Sequence, residues 1–193
     1  MTPKPDRTFS ENSQPLLEIK DLRTYFFTRD GTVKAVDGVS LTVERGQIHG
    51  LVGESGCGKS ITAMSILRLV DKPGRIVSGE VLFKGENLLE KTRGEMTTIR
   101  GKQIAVIFQE PKSSLNPVLR VGNQLLEVLK IHEGQHRTIK KKDAVDQLRS
   151  VGIPDPDRRV ENYPHEMSGG MAQRVMIAMG MSCAPDLLIA DEP

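Results

Sequence analysis

The stretch Gly53–Ser60, GESGCGKS, decides the fold of this chain, because it matches the phosphate-binding pattern GxxxxGK[ST]. The residues before it, QIHGLVG, predict a buried strand, and the residues after it, ITAMSILRLV, predict a buried helix. Glycines let the backbone wrap closely around phosphate oxygens, while the loop amides and the helix N-terminus supply donors and positive potential. We therefore predict a phosphate site in which Lys59 reaches the β- and γ-phosphates of a nucleotide and the Ser60 hydroxyl binds Mg²⁺.

The same loop supplies most of the predicted nucleotide-binding residues. A glycine-rich turn that matches the pattern by chance is the alternative interpretation, and the flanking strand and helix argue against it. We expect Cys57 to contribute its backbone amide, so its thiol needs no role. The predicted set in this loop is Gly53, Glu54, Ser55, Gly56, Cys57, Gly58, Lys59, Ser60 and Ile61.

A second part of the site is predicted in DLLIADE, where an apolar run precedes two acids. The run Leu187–Ala190 suits a strand covered on both faces, and its carboxyl end would face the same crevice as the phosphate loop. Asp191 is then the carboxylate on the Mg²⁺ side, acting through water. Glu192 is the candidate general base that orients and deprotonates the attacking water.

The stretch Met167–Arg174, MSGGMAQR, places a serine and two glycines at the start of an apparent helix. Ser168 is suited to cap that helix, and the bare amides of Gly169 and Gly170 form a second anion site. One nucleotide does not need two anion-binding loops from one chain. We therefore predict that this loop closes over the γ-phosphate held by another subunit, with a plain capped helix start as the alternative.

The stretch IFQEP contains Gln109, which ends a predicted strand and begins a helical region. Its amide is suited to contact Mg²⁺ or the attacking water and to report occupancy of the site to that region. A surface glutamine at the end of a strand is the alternative interpretation. We include Gln109 among the candidate catalytic and metal-contacting residues.

The order of elements predicts an α/β fold with a parallel sheet. Alternation and β-branched residues predict strands in LLEIKDL, KAVDGVSLTV, SGEVLFKG and KQIAVIFQ. Apolar residues at 3.6-residue spacing predict helices in VGNQLLEVLKIH and KKKDAVDQLRSVG, and a further helix is predicted in GGMAQRVMIAMGMS. Residues 1–15 are predicted to be a disordered tail, residues 16–193 one domain, and residues from about 111 to 166 an inserted helical lobe.

Length and composition fit a globular domain that buries a core, with 193 residues of which 37% are hydrophobic and 27% charged. A net charge of +2 gives no support for a nucleic-acid partner. The two cysteines, Cys57 and Cys183, form no disulfide framework, which is typical of a reducing cytosol. No apolar run approaches the roughly 18 residues needed to cross a bilayer.

Taken in order, the four motifs resemble those of the nucleotide-binding subunit of an ABC transporter. GESGCGKS corresponds to Walker A, Gln109 to the Q-loop, SGGMAQ to the signature motif and LLIADE to Walker B, and the resemblance runs from about Leu16 to Pro193. Finer features, such as IFQEPKSSLNPVLRVGNQ and QRVMIAM, resemble the peptide/nickel importer branch. The resemblance implies that an aromatic in LRTYFF stacks on adenine, and we assign this role to Phe26, with Tyr25 as the alternative.

The resemblance implies a P-loop NTPase core of the ABC type, with an N-terminal antiparallel β lobe and the inserted helical lobe. It implies an ATPase that uses ATP and Mg²⁺ to energise import of peptides or nickel. In the signature, Ser168, Gly169, Gly170 and Gln173 would bind the ATP of a partner subunit. The implied partners are a second ATPase subunit, transmembrane permease subunits and, indirectly, a substrate-binding protein, but no nucleic acid. The implied location is the cytoplasmic face of the membrane, as a peripheral subunit.

Two alternatives stay open beside a transport ATPase. One is a non-transport ABC ATPase of DNA repair or translation, although the coiled-coil insertions or tandem cassettes of those proteins are not visible here. The other follows from the family pattern, which continues beyond Glu192 with an aspartate-containing loop and a core strand that ends in a switch histidine. The sequence is therefore expected to be truncated at its C-terminus, to bind nucleotide weakly and to show little or no turnover.

Two further patterns are interpreted as structural. HEGQH contains His132 and His136 in the metalloprotease pattern H-E-x-x-H, but Gly134 falls between them where a helix is expected to end, and no third zinc ligand is apparent. Five of the eight methionines lie between Met167 and Met181. A Met-rich helix can serve a promiscuous surface, and we favour core packing for this one.

Overall fold

The computed structural model describes residues 14–109, 114–133 and 138–192, and these form two compact units. The first unit contains the residues up to Cys57 together with Val70–Glu90, and the second contains Gly58–Leu69 and the residues from Lys91 onward. Most of the predicted tail, residues 1–13, lies outside the described residues.

An antiparallel sheet of four strands makes up the first unit. The strands are β1 (Leu17–Thr28), β2 (Gly31–Val43), β3 (Gly74–Phe83) and β4 (Glu86–Asn87), in the order β2-β1-β3-β4. Alternating apolar residues of the central strand β1 point into the core, and Ile19 and Leu22 are completely or almost completely buried. The predicted antiparallel β lobe is confirmed, although β1 and β2 are longer than the sequence pattern indicated.

The prediction of a strand in QIHGLVG is wrong. Residues 47–54 have no strand conformation, and their apolar side chains are exposed: Ile48 by 99% and Val52 by 93%. A strand needs a neighbour that pairs with its backbone N–H and C=O groups, and no strand of the described residues pairs with this stretch. An apolar run alone therefore does not make a strand here.

A parallel pair of strands and six α-helices make up the described part of the second unit. The strands β5 (Ile104–Ile107) and β6 (Leu187–Ala190) pair in register, with Ile104 opposite Leu187 and Ile107 opposite Ala190. The helices are α1 (Lys59–Ile66), α2 (Arg93–Ile99), α3 (Val121–Glu133), α4 (Lys141–Ser150), α5 (Pro156–Arg159) and α6 (Gly169–Met181), with a 3₁₀ helix at Pro164–Glu166.

Three of these helices differ from the sequence prediction, and one of them, α5, is a single turn that no sequence pattern indicated. α1 ends at Ile66, four residues before the end of the apolar run ITAMSILRLV, and only Thr62, Ser65 and Ile66 of its residues are buried. α2 was not predicted at all, although Thr92 and Glu95 form a complete capping box at its start. The T-x-x-E spacing was therefore a readable signal of a helix.

The core of the second unit lies where α3, α4 and α6 meet. Leu125, Leu148 and Val175 are completely buried there, and the core includes Met167 and Met176. The interpretation of the Met-rich helix as core packing agrees with these positions, although Met181 at its end is 48% exposed. No helix in the described parts of the chain has the length and apolar character needed to cross a membrane.

Candidate functional site

The first half of the phosphate loop, residues 53–57, is an exposed turn in the first unit. The amide of Cys57 donates to the carbonyl of Glu54 at 3.3 Å. Gly56 has a φ of +81°, which favours glycine, and a Cβ on Gly53 would lie 2.5 Å from the Cys57 Sγ atom. Glycine at these two positions therefore permits a backbone conformation that a Cβ atom would strain or block.

The second half of the loop leads into α1, in the second unit. Gly58 precedes the helix with a φ of +97°, and its carbonyl accepts from the amide of Thr62 at 2.8 Å and from its hydroxyl at 2.9 Å. Lys59 and Ser60 are the first two residues of α1, Ile61 is the third, and no acid lies in this first turn. This helix end combines amide donors with positive potential, which suits a phosphate.

Ser60 and Asp191 line one small hollow in the second unit. The remaining lining is apolar and consists of Ala63, Met64, Leu67, Leu69, Val106 and Phe108. The amide of Asp191 donates to the carbonyl of Ile107 at 2.9 Å, so the acid continues the β5–β6 ladder just beyond the end of the strand. Hydroxyl and carboxylate oxygens are ligands that Mg²⁺ accepts, with water completing its shell, so these residues fit the metal.

The two candidate catalytic residues contact each other. The Gln109 amide nitrogen donates directly to a carboxylate oxygen of Glu192. Each residue lies two positions beyond a strand, Gln109 after β5 and Glu192 after β6, and the in-register parallel pairing brings these ends together. Gln109, predicted to contact Mg²⁺, is thus engaged with the predicted base. The two residues are 83 positions apart in the sequence.

The signature stretch forms the capped start of α6. The Ser168 hydroxyl accepts from the amide of Met171 at 3.3 Å, as expected of an N-cap serine. Gly169 and Gly170 are exposed, and a Cβ on either would meet nothing within 4 Å. Gln173 lies one turn further along and is half-buried. The exposed amides of the two glycines are suited to bind an anion. The capping hydrogen bond by itself is a sufficient reason for the serine, so both interpretations of this stretch agree with its structure.

The two candidate adenine-stacking residues lie side by side on β1, on opposite faces of the sheet. The Tyr25 hydroxyl donates to Asp37 at 2.6 Å, and Lys34 lies 5.4 Å from the Tyr25 ring centre. That hydrogen bond is the main cause that lowers the pKa of Asp37. Phe26 is half-buried against Gly74, where an added Cβ would lie 2.7 Å from the phenyl ring. Tyr25 is therefore engaged in a polar cluster, which favours Phe26.

Gln124 in α3 is a buried glutamine, 5% exposed, that was not among the residues predicted from the sequence. Its side-chain oxygen accepts from the amide of Asn116 at 2.9 Å, and its nitrogen donates to the carbonyls of Asn116 and Leu119, both at 3.0 Å. Gln124 therefore holds the turn before α3. Its position three residues after buried Val121, on the apolar stripe of the helix, was the signal available in the sequence.

An ion-pair cluster joins the start of α3 to the start of α4. The Glu161 carboxylate binds both Lys141 and Arg120. These hydrogen bonds, that of Lys141 first, lower the pKa of Glu161. The guanidinium of Arg120 also lies 5.9 Å from the ring centre of Tyr163.

The H-E-x-x-H pattern gains no support as a zinc site. His132 lies near the end of α3, where a Cβ on Gly101 would lie 2.7 Å from its Nε2 atom, and His136 lies outside the described residues. The described residues contain no group of three His, Cys, Asp or Glu side chains placed to hold a metal ion.

Comparisons with known proteins identify the family. The family model described as ABC transporter matches residues 36–193. A probable peptide ABC transporter ATP-binding protein of Sinorhizobium fredii is 52% identical over 179 residues, which are 92% of this chain and 53% of that protein. The dipeptide transport ATP-binding protein of Escherichia coli is 44% identical over 178 residues, which are 92% of this chain and 54% of that protein.

A solved structure has the same fold. A dimeric ATP-binding cassette in a post-hydrolysis state, bound to ADP and phosphate, matches with a TM-score of 0.79 at 24% identity, covering 91% of this chain and 73% of that one. The chain spans about half the length of the curated relatives it matches. The predicted fold class and the resemblance to peptide importers are confirmed. This chain belongs to the ABC transporter family, among relatives named for peptide transport.

Proposed function

We propose that this chain binds and hydrolyses ATP as the nucleotide-binding subunit of a peptide importer, peripheral at the cytoplasmic face of the membrane. The observation that carries the proposal is that Ser60, in the first turn of α1, and Asp191 line the same hollow alongside that helix. The relatives named for peptide and dipeptide transport support a peptide cargo. Nickel is the alternative cargo that the sequence resemblance allows.

We assign the binding roles from the chemistry of the described residues. Lys59 and the amides that start α1 hold the phosphates, and Phe26 stacks on adenine. Ser60 and, through water, Asp191 hold Mg²⁺, which neutralises phosphate charge when bound. The Lys59 ammonium and the helix-end amides are suited to the anionic phosphates of the nucleotide. The oxygen ligands of Ser60 and Asp191 are suited to Mg²⁺, a hard cation.

In the proposed hydrolysis, a water oxygen attacks the γ-phosphorus of ATP and Glu192 accepts the proton of that water. The bond between the γ-phosphorus and the bridging oxygen breaks, which yields ADP and phosphate. Gln109 donates to the same carboxylate that must accept this proton. This hydrogen bond occupies one of the two carboxylate oxygens of Glu192 and leaves the other oxygen to accept the proton of the water.

We propose that the signature loop, Ser168–Gly170, binds the ATP held by a second subunit. Its exposed amides at a capped helix start support this role, and the structurally similar cassette described above is a dimer. The further proposed partners are transmembrane permease subunits and, through them, a substrate-binding protein.

The first test measures ATP affinity by calorimetry. Lys59→Ala is expected to weaken binding of ATP by at least about tenfold, because it removes the cation nearest the β- and γ-phosphates. Lys130→Ala, which removes an exposed lysine of α3, is the matched control and is expected to bind as the wild type does. Equal affinities for Lys59→Ala and Lys130→Ala would refute the binding assignment.

The second test separates binding from chemistry. Glu192→Gln is expected to retain ATP binding and to lose about 10²–10⁴ in hydrolysis rate, measured as phosphate release in the reconstituted transporter. Glu127→Gln, at an exposed glutamate of α3, is the control with the same loss of charge. Unchanged phosphate release by Glu192→Gln would mean that another group is the base.

A further inference from the structure

The C-terminal end of α1 has an unusually complete set of backbone contacts. The amide of Arg68 donates to the carbonyl of Ser65 at 3.0 Å, and the amide of Leu69 donates to the carbonyl of Met64 at 2.8 Å. Arg68 has a φ of +53°, so the chain turns through the left-handed region directly after the helix. This pair of bonds is the Schellman arrangement, which satisfies carbonyls that a helix end would otherwise leave open.

The side chain of Arg100, which follows α2, binds further carbonyls at this end of α1. Its guanidinium donates to the carbonyl of Leu67 through Nε at 2.9 Å and through a terminal nitrogen at 2.6 Å, and to the carbonyl of Arg68 at 3.1 Å. The side chain is half-buried, and burial, followed by the charges of Arg68 and Arg93, lowers its pKa. A cation held against the last carbonyls also complements the negative end of the helix dipole.

The same helix carries the proposed phosphate ligands at its other end. α1 has eight residues and is therefore only about 12 Å long, and Lys59 and Ser60 form its start. Three of its eight residues are buried and the other five are half-buried, so packing alone holds the helix only in part. A short helix moves as one body, because its backbone hydrogen bonds link successive turns. The contact at its C-terminal end therefore affects the position of its N-terminal end.

We propose that Arg100 is a positioning residue for the phosphate loop: its guanidinium anchors the C-terminal end of α1 and thereby orients Lys59 and Ser60. Arg100 acts through the helix and does not touch the nucleotide. The effect on ATP rests on the nucleotide binding proposed above, whereas the anchoring of α1 is a property of the chain itself.

The anchoring is tested without nucleotide, by amide hydrogen exchange of the full chain. Arg100→Met is expected to speed exchange of residues 59–69 about tenfold, because it removes three charge-assisted hydrogen bonds to the carbonyls that follow α1. Arg93→Met is the matched control: Arg93 is exposed in α2, and its loss removes an equal charge from the same neighbourhood. Unchanged exchange of residues 59–69 in Arg100→Met, or an equal increase in Arg93→Met, would overturn the proposal.

The positioning is tested by a double-mutant cycle on ATP affinity. Arg100→Met is expected to weaken ATP binding about three- to tenfold in the wild-type background and by a smaller factor in the Lys59→Ala background, because the contribution of the misplaced lysine is then already absent. An equal loss in both backgrounds would mean that Arg100 supports stability alone and would overturn the positioning role. If the methionine variant does not fold, Arg100→Lys replaces it, because it keeps the charge and most of the stem. Arg100→Lys is also expected to speed exchange of residues 59–69 and to weaken ATP binding.

The two proposals fail in different ways. If Lys59→Ala alone binds ATP as the wild type does, the proposed function is wrong, and the exchange of α1 still decides whether Arg100 anchors the helix. If Lys59→Ala weakens binding and Arg100→Met does not, the proposed function stands and the positioning role is wrong.

Discussion

Replacing Gln124 by methionine removes the buried amide that holds the turn before α3. Methionine has nearly the same length and volume, so the substitution leaves the packing of α3 in place and deletes the hydrogen bonds. Three bonds disappear, one accepted from Asn116 and two donated to the carbonyls of Asn116 and Leu119. The turn itself is exposed at both residues, so water can reach the released groups after a small movement.

The magnitude follows from these contacts. Each neutral hydrogen bond contributes about 1 kcal/mol net, so three bonds contribute about 3 kcal/mol. The methionine thioether and methyl bury more apolar surface than the amide does, and this burial stabilises the fold by about 1 kcal/mol. We therefore expect Gln124→Met to lower the free energy of unfolding of the second unit by about 2 kcal/mol, which is about a thirtyfold change in the unfolding equilibrium.

The assay combines urea unfolding, followed by circular dichroism, with amide exchange of residues 114–120. With a typical urea dependence of about 2 kcal/mol per molar, the midpoint is expected to fall by about 1 M. Exchange is expected to speed most at Asn116, whose amide loses its acceptor. Gln147→Met is the control, because Gln147 is a half-buried residue of α4 whose side chain binds no backbone group of the described residues. A variant within about 0.5 kcal/mol of wild type, with unchanged exchange at residues 114–120, would refute the role given to Gln124.

Two further predictions concern the same unit. Gly122→Ala is expected to lower the free energy of unfolding by about 1–3 kcal/mol, because the new Cβ would lie 2.4 Å from a methyl group and 2.6 Å from the carbonyl oxygen of Val160. Gly94→Ala, at the same second position of α2 with nothing within 4 Å, is expected to raise it by about 0.5–1 kcal/mol; chemical unfolding of both variants checks the opposite signs. The third change is Glu161→Gln. Since its two cationic partners lower the pKa of Glu161, its contribution to stability is present above about pH 4.3 and is lost as the pH falls through the lower pKa of the folded state. Urea unfolding of wild type and Glu161→Gln should therefore differ at pH 6 and converge as the pH falls through the lowered pKa of Glu161, and a constant difference over this fall would contradict the ion-pair account.

The candidate site residues could be chosen from the sequence because their motifs are short and local. Walker A, the signature cap at Ser168 and the acids after the last strand are each specified by neighbouring residues. Helices α3, α4 and α6 were also predicted, since an α-helix closes its backbone hydrogen bonds within one segment and repeats every 3.6 residues. The capping box of Thr92 and Glu95 carried the same kind of local signal for α2.

The residues that depend on distant partners could not be predicted in this way. QIHGLVG has the composition of a strand, but a strand takes its hydrogen bonds from other segments, and the described residues pair none with it. The contact of Gln109 with Glu192 depends on the parallel register of β5 and β6, and the contact of Arg100 with the end of α1 joins residues 32 and 33 positions apart. The sequence by itself therefore determined which chemical groups this protein carries and which segments are helical. Only the tertiary structure decided which strands form and which side chains meet, because those contacts join groups that no local pattern connects.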